Sequence, residues 1–197
     1  MLRQIAGALD GCGVRHALAG GMAMAAHGFP RATKDLDFLI AKADSERADR
    51  ALRAIGFEPA SEARGFVRYL RRPSAALPEL TEWADLLLAS RPIGLSILAQ
   101  AQADPVRWEE MTLPVVAPEG LVLMKLLAHA EDPRRLTDLV DVATLLQAFP
   151  DRIDPARLRE EAGRLGTDVL ALCDRLTQES ANSQVKESPG AYSRSRL

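Results

Sequence analysis

The sequence is poor in the residues that mark several common classes of protein. Among 197 residues there are two cysteines, Cys12 and Cys173, far apart and without ligand spacing. That excludes a disulfide scaffold and a cysteine-based zinc site, and fits small thiols kept reduced. The three histidines, His16, His27 and His129, are scattered without metal spacing and read as structural or surface residues. Aromatics make up only 5% of the chain, too few for a ladder of rings on which bases could stack, so Trp83 and Trp108 read as core filling. No long uncharged apolar run could span a bilayer. Arg3, Asp10 and Arg15 break up the start of the chain, which does not read as a signal peptide. The expectation is therefore a cytoplasmic protein with no membrane partner. A formal net charge of −2 gives a nucleic-acid partner no global electrostatic support. A phosphate loop of the G-x-x-x-x-G-K-[ST] kind and a Ser-His-Asp set are also missing, which argues against P-loop NTPases and serine hydrolases.

What is present is an ordinary globular composition, 47% hydrophobic and 26% charged, in a chain long enough to bury a core without staples. Apolar spacing predicts a helix over 2–9, a strand over 14–19 running into Gly20-Gly21, a short helix over 22–27 and a strand over 35–40. A helix over 44–55 follows, with Asp44 or Ser45 as its cap and Gly56 just past its end. Strands are expected over 66–70 and 82–89, a helix over 93–103 and an edge strand over 111–116. After Pro118 the texture becomes helical, over 119–130, 134–149, 155–165 and 168–178. The fold class is thus α+β, a mixed β-sheet flanked by helices and followed by a C-terminal helical bundle. The expected limits are 1–117 for the catalytic domain, 118–179 for the helical region and 180–197 for a disordered tail.

The chemistry concentrates in Asp35-Leu36-Asp37. Side chains two apart on a strand share a face, so both carboxylates project to one side while Leu36 and Phe38 enter the core. Paired like charges need positive compensation, and oxygen-only ligands suit Mg²⁺, which takes substrate phosphates as further ligands. Gly20 and Gly21 lie between a strand and a short helix, where backbone N–H groups can approach an anion closely. Arg31 and Lys34, in the basic loop before the acids, can reach phosphate oxygens, pair with the acids or lie in solvent. Asp85, in the apolar strand over 82–89, needs a partner: either a metal shared with Asp35 and Asp37, or an arginine. Three carboxylates around phosphates imply two-metal phosphoryl chemistry with two Mg²⁺ ions and an NTP substrate. Arg64, Arg68, Arg71 and Arg72 cluster around the strand over 66–70, as a solvated face or as contacts for an RNA backbone.

Taken in order, Leu18-Ala19-Gly20-Gly21-Met22-Ala23 and His27-Gly28-Phe29-Pro30-Arg31-Ala32-Thr33-Lys34-Asp35-Leu36-Asp37 resemble the N-terminal motif of the nucleotidyltransferase superfamily, the polymerase beta-like fold. The nearest branch looks like the AbiEii-like toxins of type IV toxin–antitoxin systems. The resemblance implies that Asp35, Asp37 and Asp85 are catalytic and bind Mg²⁺. The segment Leu123-Met124-Lys125-Leu126-Leu127-Ala128, followed by Arg134-Arg135-Leu136-Thr137-Asp138-Leu139-Val140-Asp141, is similar to that branch's lysine and its R-x-x-[KR]-D-x-x-D helix. It implies a nucleotide-binding role for both Lys125 and Asp138, Lys125 touching the triphosphate and Asp138 orienting or balancing it; Asp138 and Asp141, three apart, share a helix face. From the sequence itself, a lysine in that apolar stretch either snorkels to water or answers an acid. Two positions depart from the family pattern: Gly21 stands where a serine is common, and Thr137 where a lysine or arginine is common. The expected activity is NMP transfer from an NTP to a macromolecular acceptor, a tRNA end or a protein hydroxyl, with an antitoxin as a further partner. The alternatives are a small acceptor of the aminoglycoside type, or a catalytically silent nucleotide-binding protein of the same fold.

Overall fold

The computed structural model describes residues 1–29, 33, 35–63, 65–72 and 81–187, with side chains up to residue 182. The chain divides into two compact units, Met1–Ala117 and Pro118–Leu197.

In chain order the first unit comprises α1 (Leu2–Gly11), β1 (His16–Ala19), α2 (Gly20–Ala26), β2 (Asp35–Ala41), a single 3-10 turn (Lys42–Asp44) and α3 (Ser45–Ala54). It continues with β3 (Glu58–Ala63), β4 (Phe66–Arg71), β5 (Glu82–Ala89), α4 (Pro92–Ala103), β6 (Val106–Trp108) and β7 (Met111–Leu113). Five strands form one mixed sheet in the order β1-β2-β5-β4-β3, in which only β2 and β5 run parallel. The connection from β2 to its parallel neighbour β5 passes through α3, β3 and β4.

Alternation along these strands sorts the side chains onto two faces. Leu36, Phe38 and Ile40 of β2, Ala84 and Leu86 of β5 and Tyr69 of β4 share one face, and all are buried. Helices α1 and α3 pack against each other and reach that face through polar contacts as well as apolar ones. Tyr69 donates its hydroxyl to Asp49 of α3 over 2.9 Å. Arg71 is bound to Glu82, to the carbonyl of Ile55 and to Gln4 of α1, and its guanidinium lies over the Phe57 ring. The other face carries Asp35, Asp37, Trp83, Leu87, Phe66, Arg68 and Leu70, all half-buried, together with the buried Asp85.

Two strands escaped the apolar pattern. In β3 all six residues are exposed, so no apolar alternation marks it; it is made by backbone pairing to β4 across an irregularity between Pro59 and Ser61. Strand β6 has three residues and pairs only with β7. The strand expected over 111–116 ends at Leu113, because the segment then turns to β1: Leu18 donates to the Pro114 carbonyl, and Val116 donates to the Leu18 carbonyl. Asp44 does stand at the N-cap of α3, but its carboxylate pairs with Arg47 and makes no capping bond. Cys12 is exposed, and Trp83 and Trp108 are half-buried, where core positions were expected for the tryptophans.

The second unit is helical: α5 (Pro118–Glu131), α6 (Leu136–Ala148), α7 (Pro155–Leu165) and α8 (Thr167–Glu187). Leu121, Val122, Leu126, Val142, Leu145, Leu158, Ala162, Val169, Cys173 and Leu176 form its core. Helix α7 starts with Pro155 after an Asp154 cap that accepts from the Ala156 N–H. A tail was expected from residue 180, but α8 continues to Glu187, because Ser180 is buried in step with Val169, Cys173 and Leu176. Residues 188–197 lie outside the described residues. Among the described residues, no helix is long and apolar enough to cross a membrane.

Burial, and then the hydrogen bond to Asp49, push the Tyr69 hydroxyl above its ordinary value of 10.0. Its stabilising contribution is then complete below pH 10.0 and is lost as pH rises beyond it, since the unfolded chain ionises first. Chemical denaturation between pH 8 and 11 should therefore show a steeper alkaline loss of stability in the native chain than in Tyr69→Phe.

Candidate active site

Asp35 and Asp37 face the same way from β2 because they lie two residues apart on a strand. The parallel register then sets Asp37 beside Asp85 of β5 and Asp35 beside Trp83. Across the next, antiparallel pairing, Asp85 stands beside Arg68 of β4. On the other flank Asp37 pairs with Ala19, the last residue of β1. One row across the sheet thus reads Ala19, Asp37, Asp85, Arg68, and its middle holds adjacent like charges.

Gly20 follows Ala19 and has a positive φ of 59°, which suits glycine. A Cβ built on Gly20 would lie 1.8 Å from Oδ2 of Asp37 and 2.6 Å from its Cγ. The glycine is therefore required twice, for its backbone angle and for room beside the carboxylate. Gly21 is tight in another direction: a Cβ there would stand 3.0 Å from Cβ of Thr33, whose hydroxyl donates to the Asp35 carbonyl over 3.1 Å. A serine at 21, common in the family pattern, would press on that threonine. Arg31 and Lys34 lie outside the described residues.

Arg68 supplies the positive charge in the row. Its Nε donates to Oδ1 of Asp85 over 2.8 Å and its Nη2 to Oδ2 over 2.6 Å, a two-pronged grip. The same Nη2 donates to Oδ2 of Asp35 over 3.0 Å, and the guanidinium carbon sits 5.8 Å from the centre of the Trp83 ring. These contacts, led by the hydrogen bonds to Asp85, raise the Arg68 pKa further, so it is always charged. The arginine cluster read from the sequence is thus divided: Arg68 turns to the acids, Arg71 is occupied on the opposite face, Arg72 is exposed and Arg64 lies outside the described residues.

The donor set of Asp35, Asp37 and Asp85 is oxygen-only and suits a hard divalent cation. Among the described residues, no group of three or more His, Cys, Asp or Glu side chains stands ready to hold a metal. In this arrangement Arg68 takes up Asp85 and shares Asp35, so a cation at those carboxylates requires the guanidinium to give way.

In the second unit, Lys125 answers acids rather than reaching water. Its Nζ lies 2.6 Å from Oδ2 of Asp141 and 3.1 Å from Oδ1 of Asp138, and all three residues are buried. Arg135 grips Oδ2 of Asp138 over 2.6 Å, and the ring of the buried His129 meets the Arg135 carbonyl. This cluster ties α5 to α6. Asp141, the nearer partner of Lys125, was visible in the sequence only as a second acid on Asp138's helix face.

A family model described as an uncharacterised nucleotidyltransferase matches residues 1–177. The chain belongs to this nucleotidyltransferase family. It is therefore a transferase enzyme, for which an NTP is the expected substrate. No curated protein matches it significantly in sequence. Among solved structures, the antibiotic-resistance factor ANT(2'')-Ia is similar at 12% identity, with 94% of each chain covered and a TM-score of 0.55. JHP933 from Helicobacter pylori shares 15% identity over 94% of this chain and 92% of its own, with a TM-score of 0.51. An antigenic nucleotidyltransferase-like protein from Paracoccidioides brasiliensis shares 14% identity over 92% of this chain and 87% of its own, with a TM-score of 0.53. At such identities the likeness establishes the nucleotidyltransferase fold.

In this nucleotidyltransferase, the arginine that sequence reasoning left open as the alternative partner of Asp85 is Arg68, which that reasoning did not single out from its cluster. The signal was there: a buried aspartate in an apolar strand demands a cation, and Arg68 sits mid-strand between Val67 and Tyr69. Gly20→Ala should lower activity by about a hundredfold or more, because the carboxylate of Asp37 has to move, and cost about 1–2 kcal/mol from its backbone angle. Gly13→Ala shares a positive φ, 64°, with no atom nearer than 3.6 Å, and should lose stability alone in paired denaturation and activity assays. Lys125→Met should destabilise the chain by roughly 3–5 kcal/mol in urea denaturation, since Asp138 and Asp141 lose the buried cation they share, although Arg135 still holds Asp138.

Proposed function

We propose that this nucleotidyltransferase moves an NMP from an NTP to a hydroxyl of a macromolecular acceptor, a tRNA or a protein, using Mg²⁺ held by Asp35, Asp37 and Asp85. The observation that carries the reading is the register of β2 against β5, which makes Asp37 and Asp85 neighbours and sets Asp35 on the same face. In such a reaction the acceptor oxygen attacks the α-phosphorus, the hydroxyl proton leaves, and the bond to pyrophosphate breaks. Bound Mg²⁺ ions, two in the usual arrangement, supply neutralising charge for the triphosphate and make the hydroxyl easier to deprotonate.

The chain's own residues prepare that chemistry. Asp35, Asp37 and Asp85 supply carboxylate oxygens of fixed position, and Gly20 and Gly21 leave backbone close to Asp37 and Thr33 without side-chain bulk. Arg31 and Lys34 are assigned to phosphate contact from their place in the motif. The roles of Lys125 and Asp138 toward the triphosphate rest on the sequence resemblance alone. A large acceptor is favoured by the strip of half-buried Phe66, Leu70, Trp83 and Leu87 beside the acids, which offers a surface to lie on. The assignment to the toxins of toxin–antitoxin pairs, with an antitoxin partner and a cytoplasmic place of action, likewise rests on the resemblance. Growth arrest on expression of the native chain, absent with Asp37→Asn, would support it.

A second reading, a small cationic acceptor, is favoured by the placing of the carboxylates of Asp35, Asp37 and Asp85 on one face of the sheet. It also draws on the likeness to ANT(2'')-Ia, solved in complex with adenylyl-2''-tobramycin, at 12% identity over 90% of this chain and 95% of that one, TM-score 0.55. Incubation with each labelled NTP, Mg²⁺ and cell extract should label an RNA or protein band. Asp37→Asn should reduce the label by about a hundredfold or more. Label that appears only on added tobramycin would favour the second reading, and no label with any nucleotide would overturn both.

A further inference from the structure

Arg68 is the one group in the acid row whose contacts the proposed chemistry does not use, and its geometry is that of a plug rather than of a bystander. Its two prongs meet both oxygens of Asp85, and the terminal nitrogen Nη2 is shared with Asp35. It stands on β4, the neighbour of β5, at the register position of Asp85 itself. The side chain therefore reaches along the row into the space between the carboxylates.

We propose that Arg68 is a displaceable counter-ion. It holds Asp35 and Asp85 while no divalent cation is bound, and must release both before they can serve as ligands. This rests on the reading of Asp35, Asp37 and Asp85 as a cation site. The physical warrant is competition for the same lone pairs: a carboxylate with both oxygens in a guanidinium fork has little left to give a metal. An arginine that closes the site lowers the apparent affinity for the cation by the fraction of time the site is open. Removal of Arg68 should therefore tighten cation binding, the opposite of what removing a residue that only positions the acids would do. Release should also carry an optical signal, because the guanidinium lies over the Trp83 ring.

The test uses the full chain in a Trp108→Phe background, so that Trp83 is the only indole, with Mn²⁺ as the probe. Calorimetry should show Arg68→Gln binding Mn²⁺ about tenfold more tightly than the arginine form, as expected if the closed state is about nine-tenths populated. Mg²⁺, which does not quench indole as paramagnetic Mn²⁺ does, should change Trp83 emission in the arginine form and leave it unchanged in Arg68→Gln. Arg68→Lys keeps the charge and gives up the fork. It should bind about threefold more tightly, and it covers the case in which Arg68→Gln does not fold. Equal or weaker binding by the folded Arg68 variants, with binding still abolished by Asp37→Asn, would overturn the displacement and leave the cation site standing. A Trp83 response that persists in Arg68→Gln would also overturn it. Absence of Mn²⁺ binding in every form, or binding indifferent to Asp37→Asn, would bring down the site and the displacement together.

Discussion

Neighbouring carboxylates in one row of a sheet repel each other, and the row is tolerable only where a positive group lies within hydrogen-bonding reach. Here the parallel pairing of β2 with β5 creates the problem by setting Asp37 beside Asp85. The antiparallel pairing of β5 with β4 supplies the answer, Arg68. An isolated buried ion of this kind costs several kcal/mol, and a forked, charge-assisted pair offsets most of it. The order of the central strands, β2-β5-β4, is thus also an order of charge, and the position of Gly20 is dictated by the space the outermost acid takes.

One face of the sheet is given over to the core, and the other carries the site together with the buried apolar residues Leu39, Ala41 and Ala89. Leu36, Phe38, Leu86 and Tyr69 are buried on one side, while the acids, Arg68 and Trp83 occupy the other. Alternation at period two turns Asp35 and Asp37 away from Leu36 and Phe38, and Asp85 away from Ala84 and Leu86. The second unit uses a related device in a helical setting. There Lys125 lies between Asp138 and Asp141, and a mostly apolar helix, α5, gains a polar register with α6 that apolar packing alone leaves loose.

Much of this was legible in the chain. The acids of β2 and β5, the glycines after β1 and the helical texture beyond Pro118 are local signals, and local signals survive in sequence. The nucleotidyltransferase superfamily, too, follows from motifs in order, whereas the finer branch does not. What the sequence could not convey was pairing across distance. Nothing local says that residue 68 stands opposite residue 85, because that depends on which strand lies next to β5. Strand β3 was invisible for a related reason: it has no buried side chain, and its existence is a property of its neighbour's backbone. The Lys125 cluster was half legible. An acid three residues after Asp138 was evident, but only the approach of α5 to α6 makes Asp141 the closer partner.

Among the described residues the exposed β3 also ends the sheet, with no further strand paired to its outer side. Such an edge invites copies of the chain to stack by main-chain pairing, the first step toward fibrous aggregates. Glu58 and Glu62 put like charge along that border, Pro59 removes an N–H, and the irregularity at Pro59 and Ser61 spoils a straight template. A strand with nothing to bury can be composed for repulsion alone, and in a molecule of low net charge this border helps keep neighbouring molecules apart at high concentration.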